Sequence, residues 1–308
     1  MGRVLVTGAS GFIGRNCLPL LADAGFEVNA VSSRASPDPV TAAVRWHQAD
    51  LLDTVQMRTL INRLRPSHLL HLAWYAVPGE YWTAVENTAW LHASLGLLRE
   101  FASAGGKRVV VAGSCAEYDW GQGICAETTT PLVPATPYGA AKHALQVGLS
   151  SLPGSSGLSG AWGRIFFLYG PHEHRERLVP SVIRALLAGK PALCTHGDQL
   201  RDFLHVADVA DAFVSLLKST ATGAFNIGSG NPVAIRDIVN LIGAKLGSTK
   251  LLRLGALPSR ENDPPLLVAN VERLRKALGW KPKFDLDHGL DNAIAWWKSG
   301  TTNRVEQT

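Results

Sequence analysis

The chain has 308 residues, 46% of them hydrophobic, which suits one large α/β core or a main domain with a smaller one. Its net charge of +5 comes from scattered lysines and arginines, a pattern that attracts small anions and argues against a nucleic-acid partner. The four cysteines (Cys17, Cys115, Cys125 and Cys194) have no metal-ligand spacing and are too few for a disulfide framework. No metal is expected. With no bilayer-length apolar run and a first strand too early for a leader, the expected location is cytoplasmic, without a membrane partner.

Strand-like apolar runs at residues 4–6, 27–31, 68–72 and 109–112 alternate with helix-like segments at 13–24, 55–63 and 87–104. Gly25, Pro66 and the pair Gly105-Gly106 punctuate them. Beyond residue 170 the regularity decays. Helices are predicted at 180–190, 206–218 and 235–246, and a strand at 224–228 runs into a glycine-rich turn.

The first strand leads into Thr7-Gly8-Ala9-Ser10-Gly11-Phe12-Ile13-Gly14. Gly8 permits a tight turn, Gly11 lets backbone approach a pyrophosphate, and Gly14 lets the next helix pack closely. The helix N-terminus then offers N–H groups and a partial positive charge to phosphates. Gly8, Ser10, Gly11, Phe12, Ile13 and Gly14 thus form the candidate dinucleotide cradle. Together with the alternation, this predicts an α/β Rossmann-type doubly wound parallel sheet with a smaller C-terminal α+β substrate lobe. The NAD(P)-binding domain would span residues 1–170, with 202–222 returning to it, and residues 171–308 would form most of the lobe. The second strand ends in Ser32-Ser33-Arg34, where an NAD-preferring fold usually carries an acid for the ribose 2′-OH. Hydroxyls beside an arginine suit a 2′-phosphate, so NADP(H) is favoured and NAD(H) is the alternative.

Tyr138 and Lys142 stand four residues apart, on one face of a predicted helix. A nearby ammonium favours phenolate, so Lys142 is expected to lower the Tyr138 pKa and equip it for proton exchange with an alcohol or ketone oxygen. Taken alone, the pair is an ordinary exposed helix pair. Its context after a dinucleotide fingerprint, and after a strand ending at Gly113-Ser114, makes it a candidate catalytic pair with Ser114 as hydroxyl donor.

Ser114, Tyr138 and Lys142 resemble the catalytic triad of extended short-chain dehydrogenase/reductases, in the nucleotide-sugar epimerase/dehydratase family. The resemblance runs along nearly the whole chain. Asp50-Leu51 resembles the pair touching adenine, and His71-Leu72-Ala73-Trp74 resembles the strand end that places Leu72 and Ala73 beside the cofactor. Asn87, residues 164–171, residues 201–209 starting at Arg201-Asp202, residues 226–230 and residues 278–282 continue the pattern. It implies a nucleoside-diphosphate sugar substrate, with Arg201 and Arg260 on the diphosphate and Trp74 near the sugar. Trp82, Trp90 and Trp120 are expected in or near the same pocket or its packing.

Three departures narrow the expectation. Cys115-Ala116 stands where sugar 4,6-dehydratases resemble one another in an Asp-Glu pair, so dehydration is not expected; Glu117 is displaced by one residue and turned elsewhere. The Ser32-Ser33-Arg34 end favours NADP(H). Phe167 stands where many sugar epimerases have asparagine, which fits a deoxygenated hexose. The leading expectation is reduction of the 4-keto group of a nucleoside-diphosphate 4-keto-6-deoxyhexose. The alternative is a nucleotide-sugar epimerase with tightly bound NAD. A non-catalytic dinucleotide sensor is disfavoured because Tyr138 and Lys142 are both present. The loop from Pro171 to Arg177 is expected to be a polar lid rather than a metal site. A homodimer is expected through the long helix and the catalytic helix, with Leu91, Leu95 and Leu145 outward.

Overall fold

The computed structural model describes residues 2–33, 43–152, 157–259 and 263–305. In chain order the first half contains β1 (Arg3–Thr7), α1 (Gly14–Asp23), β2 (Glu27–Ser32), β3 (Val44–Gln48), α2 (Thr54–Leu64), β4 (His68–His71), α3 (Glu86–Ser103), β5 (Arg108–Ser114), β6 (Ile124–Cys125) and α4 (Pro137–Ser150). There follow β7 (Ser159–Ile165), β8 (Phe167–Tyr169), α5 (Leu178–Leu187), β9 (Ala192–Leu193), β10 (Leu200–His205), α6 (Val206–Lys218) and β11 (Gly223–Ile227). The chain continues with β12 (Pro232–Ala234), α7 (Ile235–Lys245), β13 (Leu252–Arg253), β14 (Leu266–Ala269), α8 (Glu272–Leu278) and α9 (Leu286–Val305).

Seven strands form a parallel sheet in the order β11-β7-β5-β4-β1-β2-β3. Strand alternation explains why both faces are covered. Val4 and Val6 of β1 pack into a core with Cys17, Leu18 and Leu21 of α1 and Phe213 and Leu217 of α6. Leu5, pointing the other way, joins Leu60 and Ile61 of α2, Leu97 and Phe101 of α3 and Leu145 of α4. The strand order reverses between β1 and β4, so a crevice opens beyond their carboxyl ends.

Local signals set the helix ends. Asp53 caps α2 by accepting the N–H groups of Val55 and Gln56, and Arg65 closes it in the left-handed region. Thr136 caps α4 through the Gly139 N–H, with Pro137 in the first turn, where its missing N–H costs nothing.

A second sheet, β12-β10-β14-β6 with β8 paired to β10, stands at the carboxyl end of the large one. A separate core of α5, α7 and α9 residues lies against it, including Ile183, Ile238, Ile242 and Leu290. Two strands of the large sheet lie outside the apolar runs that the sequence offered. β3 is a polar edge strand (Val-Arg-Trp-His-Gln), and β7 carries two glycines and an arginine, so neither presents a continuous apolar run. Leu145 requires a correction. It is fully buried within the chain rather than outward, whereas Leu91 and Leu95 are half-buried and pack against the same core. Among the described residues no helix is long and apolar enough to cross a membrane.

Candidate active site

The glycine turn is shaped by contact rather than by charge. Gly8 has φ +66°, and a Cβ there would lie 2.7 Å from the Ala73 nitrogen across the β1–β4 switch point. A Cβ on Gly14 would stand 2.2 Å from the Gly8 carbonyl oxygen, and Gly11 N–H donates to that oxygen at 3.0 Å. Helix α1 then begins without a side-chain cap; its Arg15 and Asn16 N–H groups turn back to the Gly11 and Ile13 carbonyls, so the turn from Gly11 to Gly14 is the part that would face a ligand. Gly11 is exposed, and Phe12 and Ile13 are half-buried beside it. The Ser10 carbonyl accepts Arg15 Nη2 at 3.0 Å. This cradle fits a dinucleotide diphosphate, since any side chain at its glycines would fill it.

Around the cradle, Ala73 N–H reaches Thr7 Oγ1 at 3.4 Å and Leu72 N–H reaches the Thr7 carbonyl at 3.2 Å. Leu51 is buried, whereas the Asp50 carboxylate caps its own turn by accepting the Leu52 N–H. Ser32 is buried at the end of β2 and Ser33 is exposed beyond it. Arg34 and Arg260 lie outside the described residues. His71 is held between Thr7 Oγ1 at 2.6 Å and Ser94 Oγ at 2.9 Å. Burial, and then the nearby Lys142 ammonium, push its pKa down to about 3, so it is neutral.

Ser114, at the carboxyl end of β5, hydrogen-bonds Tyr138 of the first turn of α4, and Lys142 follows one turn later against the same strand. Hydrogen bonding from Ser114 favours the Tyr138 phenolate, yet burial outweighs it and raises the phenol pKa, as does the neighbouring Tyr81. This corrects the expectation that Lys142 would lower it. Lys142 is itself buried, and burial brings its pKa down to about 7 from 10.5. Its ammonium donates to the Ala112 carbonyl at 2.9 Å and lies 3.9 Å from the centre of the Trp74 ring, but 5.9 Å from that of Tyr138.

Trp74, Tyr81 and Trp82 surround Tyr138 edge-on, with ring centres at 6.4, 4.9 and 5.7 Å. Trp120 extends this wall from Trp82 and Trp90 extends it from Trp74. The Trp74 indole N–H donates to Asn87 and that of Trp120 to the Cys115 carbonyl, so both polar edges are engaged by the protein. Arg201 is 2% exposed, pairs with Asp263 at 2.7 Å and lies over Phe167 at 5.6 Å. Cys115 is a buried free thiol whose pKa burial raises.

Sequence reasoning missed Tyr81, Asp263 and the buried partners of Glu117. Tyr81 had a signal, its place beside Trp82 in an aromatic-rich loop. The others act through residues far away in the chain. In the loop after β8, His172 bonds Arg15 at 2.6 Å and lies tilted against Trp296, while Glu173 is buried with its pKa pushed up to about 8. Among the described residues no cluster of His, Cys, Asp or Glu could hold a metal ion.

The profile of the NAD dependent epimerase/dehydratase family matches residues 4–228. A UDP-glucose 4-epimerase from Azospirillum brasilense is 30% identical over 96% of this chain and 92% of its own length. MoeE5, solved in complex with UDP-glucose and NAD, superposes with a TM-score of 0.85 at 30% identity, covering 97% of this chain and all (100%) of that one. The UDP-glucose 4-epimerase of Thermus thermophilus, solved with NAD, gives 0.84 at 27% identity over 96% of this chain and 99% of that one. With the cradle, the triad and the sheet order in place, this chain belongs to the NAD dependent epimerase/dehydratase family.

Proposed function

We propose that the protein is a nucleotide-sugar epimerase that inverts a hydroxyl-bearing carbon of a UDP-hexose, using NAD. The observation that carries this reading is the meeting of Ser114, Tyr138 and Lys142 beyond β5, beside the glycine cradle, in a chain whose full-length relatives are UDP-glucose 4-epimerases. This reverses the order of the two sequence expectations, because 4-keto reduction finds less support among the relatives.

Gly8, Gly11, Gly14 and the N-terminus of α1 would hold the cofactor's diphosphate, and Lys142 its nicotinamide ribose. When bound, the nicotinamide supplies an acceptor, and then a donor, of hydride at the sugar carbon. In its phenolate form, which the hydrogen bond from Ser114 favours, Tyr138 would take the proton from the sugar hydroxyl as the ketone forms and return it as the alcohol reforms. Ser114 donates a hydrogen bond to the same oxygen. Rings from Trp74, Tyr81 and Trp82 exclude water while the keto sugar presents its other face. Arg201 suits the substrate diphosphate, with Asp263 and Phe167 fixing its guanidinium.

A second reading is NADPH-dependent reduction of a nucleoside-diphosphate 4-keto-6-deoxyhexose. The end of β2 favours it, because Ser32 and Ser33 bring no carboxylate to a ribose 2′-OH, and Phe167 brings no hydrogen bond to a sugar. Dehydration lacks support at Cys115 and Ala116, which carry no carboxylate. Proton NMR of UDP-glucose incubated with protein and NAD separates the readings. The epimerase gives the 4-epimer with no net change in cofactor. Absence of an epimer, with NADPH oxidised by a 4-keto-6-deoxy sugar, overturns it in favour of the reductase. A homodimer through α3 and α4 is also proposed, with Leu91 and Leu95 partly open at that face and Leu145 excluded from it, and sedimentation tests it.

A further inference from the structure

Beneath Ser114 lies a layer of buried charge that the reaction above does not use. Glu117 is fully buried. Its carboxylate accepts the Ser114 N–H at 2.7 Å, the Trp162 indole N–H at 2.9 Å and Arg164 Nε at 2.7 Å. Arg164 is 1% exposed and its Nη1 donates to the Tyr118 hydroxyl at 3.0 Å, which in turn donates to Asn226 at 2.7 Å. This layer also explains Gly113. A Cβ there would lie 2.0 Å from Trp162 Nε1 and 2.5 Å from Glu117 Oε1.

Stability alone does not account for such a pair, since apolar residues of similar volume are often as stabilising as a buried ion pair or more so. Its position offers another use. The Ser114 hydroxyl oxygen accepts the Ala116 N–H at 3.2 Å while its own N–H goes to Glu117, so the turn Cys115–Glu117 closes on the serine from both sides. With one lone pair engaged by Ala116, the hydroxyl proton is left to point toward Tyr138 or a substrate oxygen.

We propose that Glu117 is a positioning residue for the reaction: its carboxylate fixes the direction of the Ser114 hydroxyl and places a buried negative charge behind Tyr138 and Lys142. The inference rests on the catalytic reading of Ser114, Tyr138 and Lys142 given above. The titratable groups facing that pair are His71 from β4, Tyr81 from the segment before α3, and Cys115 and Glu117 from the turn after β5. Glu117 pushes the pKa of both Tyr138 and Lys142 upward. Loss of its charge therefore moves both in one direction, down.

The test is Glu117→Gln in the cofactor-loaded enzyme, with Glu117→Gln/Arg164→Met as a paired variant that leaves no lone buried guanidinium. Expected are a fall in kcat of about a hundredfold, the scale of a misplaced catalytic group, with KM for the nucleotide sugar nearly unchanged. The pH–rate profile moves toward lower pH. The Lys142 Cε NMR resonance, assigned by its loss in Lys142→Met, titrates at lower pH even without cofactor. Trp162→Phe, which withdraws a donor but keeps the carboxylate, leaves the profile in place. A drop in Tm with an unmoved pH profile and an unmoved Lys142 midpoint overturns the proposal, as does a profile that moves equally in Trp162→Phe. If the wild type turns over no nucleotide sugar, the catalytic reading fails separately. The Lys142 midpoint then still decides whether the Glu117 charge acts on it.

Discussion

The two ends of the crevice above the large sheet are built from different materials. The cradle after β1 is made of backbone: Gly8, Gly11 and Gly14 shape it by what they lack, and α1 begins uncapped. The reacting end after β5 is made of side chains. It holds the buried Lys142 and, behind Ser114, the Glu117–Arg164 pair, walled by aromatic rings. The difference follows from the tasks proposed for the two ends. Holding a diphosphate needs N–H groups and close approach, which backbone supplies. Moving a proton needs groups whose pKa can be displaced, and that takes burial and neighbouring charge.

Mutations at the two ends should therefore fail in different ways. Tyr138→Phe, at the reacting end, should lower kcat by about 10²- to 10⁴-fold with nucleotide binding intact, as measured by turnover and by calorimetric titration. Arg201→Met removes a buried guanidinium rather than a proton carrier. Losing charged hydrogen bonds worth about 1.5–3 kcal/mol should raise KM for the nucleotide sugar at least about tenfold and leave kcat largely unchanged. Gly14→Ala acts only on the cradle. Overpacking against the Gly8 carbonyl should cost about 1–3 kcal/mol, read as weaker retention of the nicotinamide cofactor on dialysis. A kcat loss in Gly14→Ala at saturating cofactor would break the division between the two ends.

The smallest effect concerns Glu173, whose folded pKa of about 8 lies above its ordinary 4.5 because of burial. Between these values the folded state binds more protons than the unfolded state, so stability falls as pH rises. This contribution is complete below the lower value and lost through the upper one. Glu173→Gln should flatten the slope of Tm against pH in that window. An unchanged slope would place the carboxyl in contact with water.

The backbone-made end was legible in the sequence because its residues are contiguous. A strand, three spaced glycines and a helix occupy positions 3–23, and α6 matched its predicted bounds for a similar local reason. The side-chain-made end was readable in its candidate triad and in the tryptophans around it, but not in what lies behind Ser114. Glu117 reads as a displaced acid until Trp162 and Arg164, brought alongside by the β5–β7 pairing, show what it holds. The fall of Lys142 to about 7 and the rise of Tyr138 depend on burial, which spacing does not report. Leu145 shows the same limit in packing. A leucine face on α4 looks alike whether its partner is α3 of the same chain or a second copy.

In the proposed reaction a proton passes through Tyr138 while a bound nicotinamide exchanges hydride with a nucleotide sugar. The most direct test follows the near-ultraviolet absorbance of reduced nicotinamide after UDP-glucose is mixed with NAD-loaded protein, wild type against Tyr138→Phe. A transient signal in the wild type that is lost in the variant is the predicted result. A signal of equal rate and size in both proteins would contradict the account.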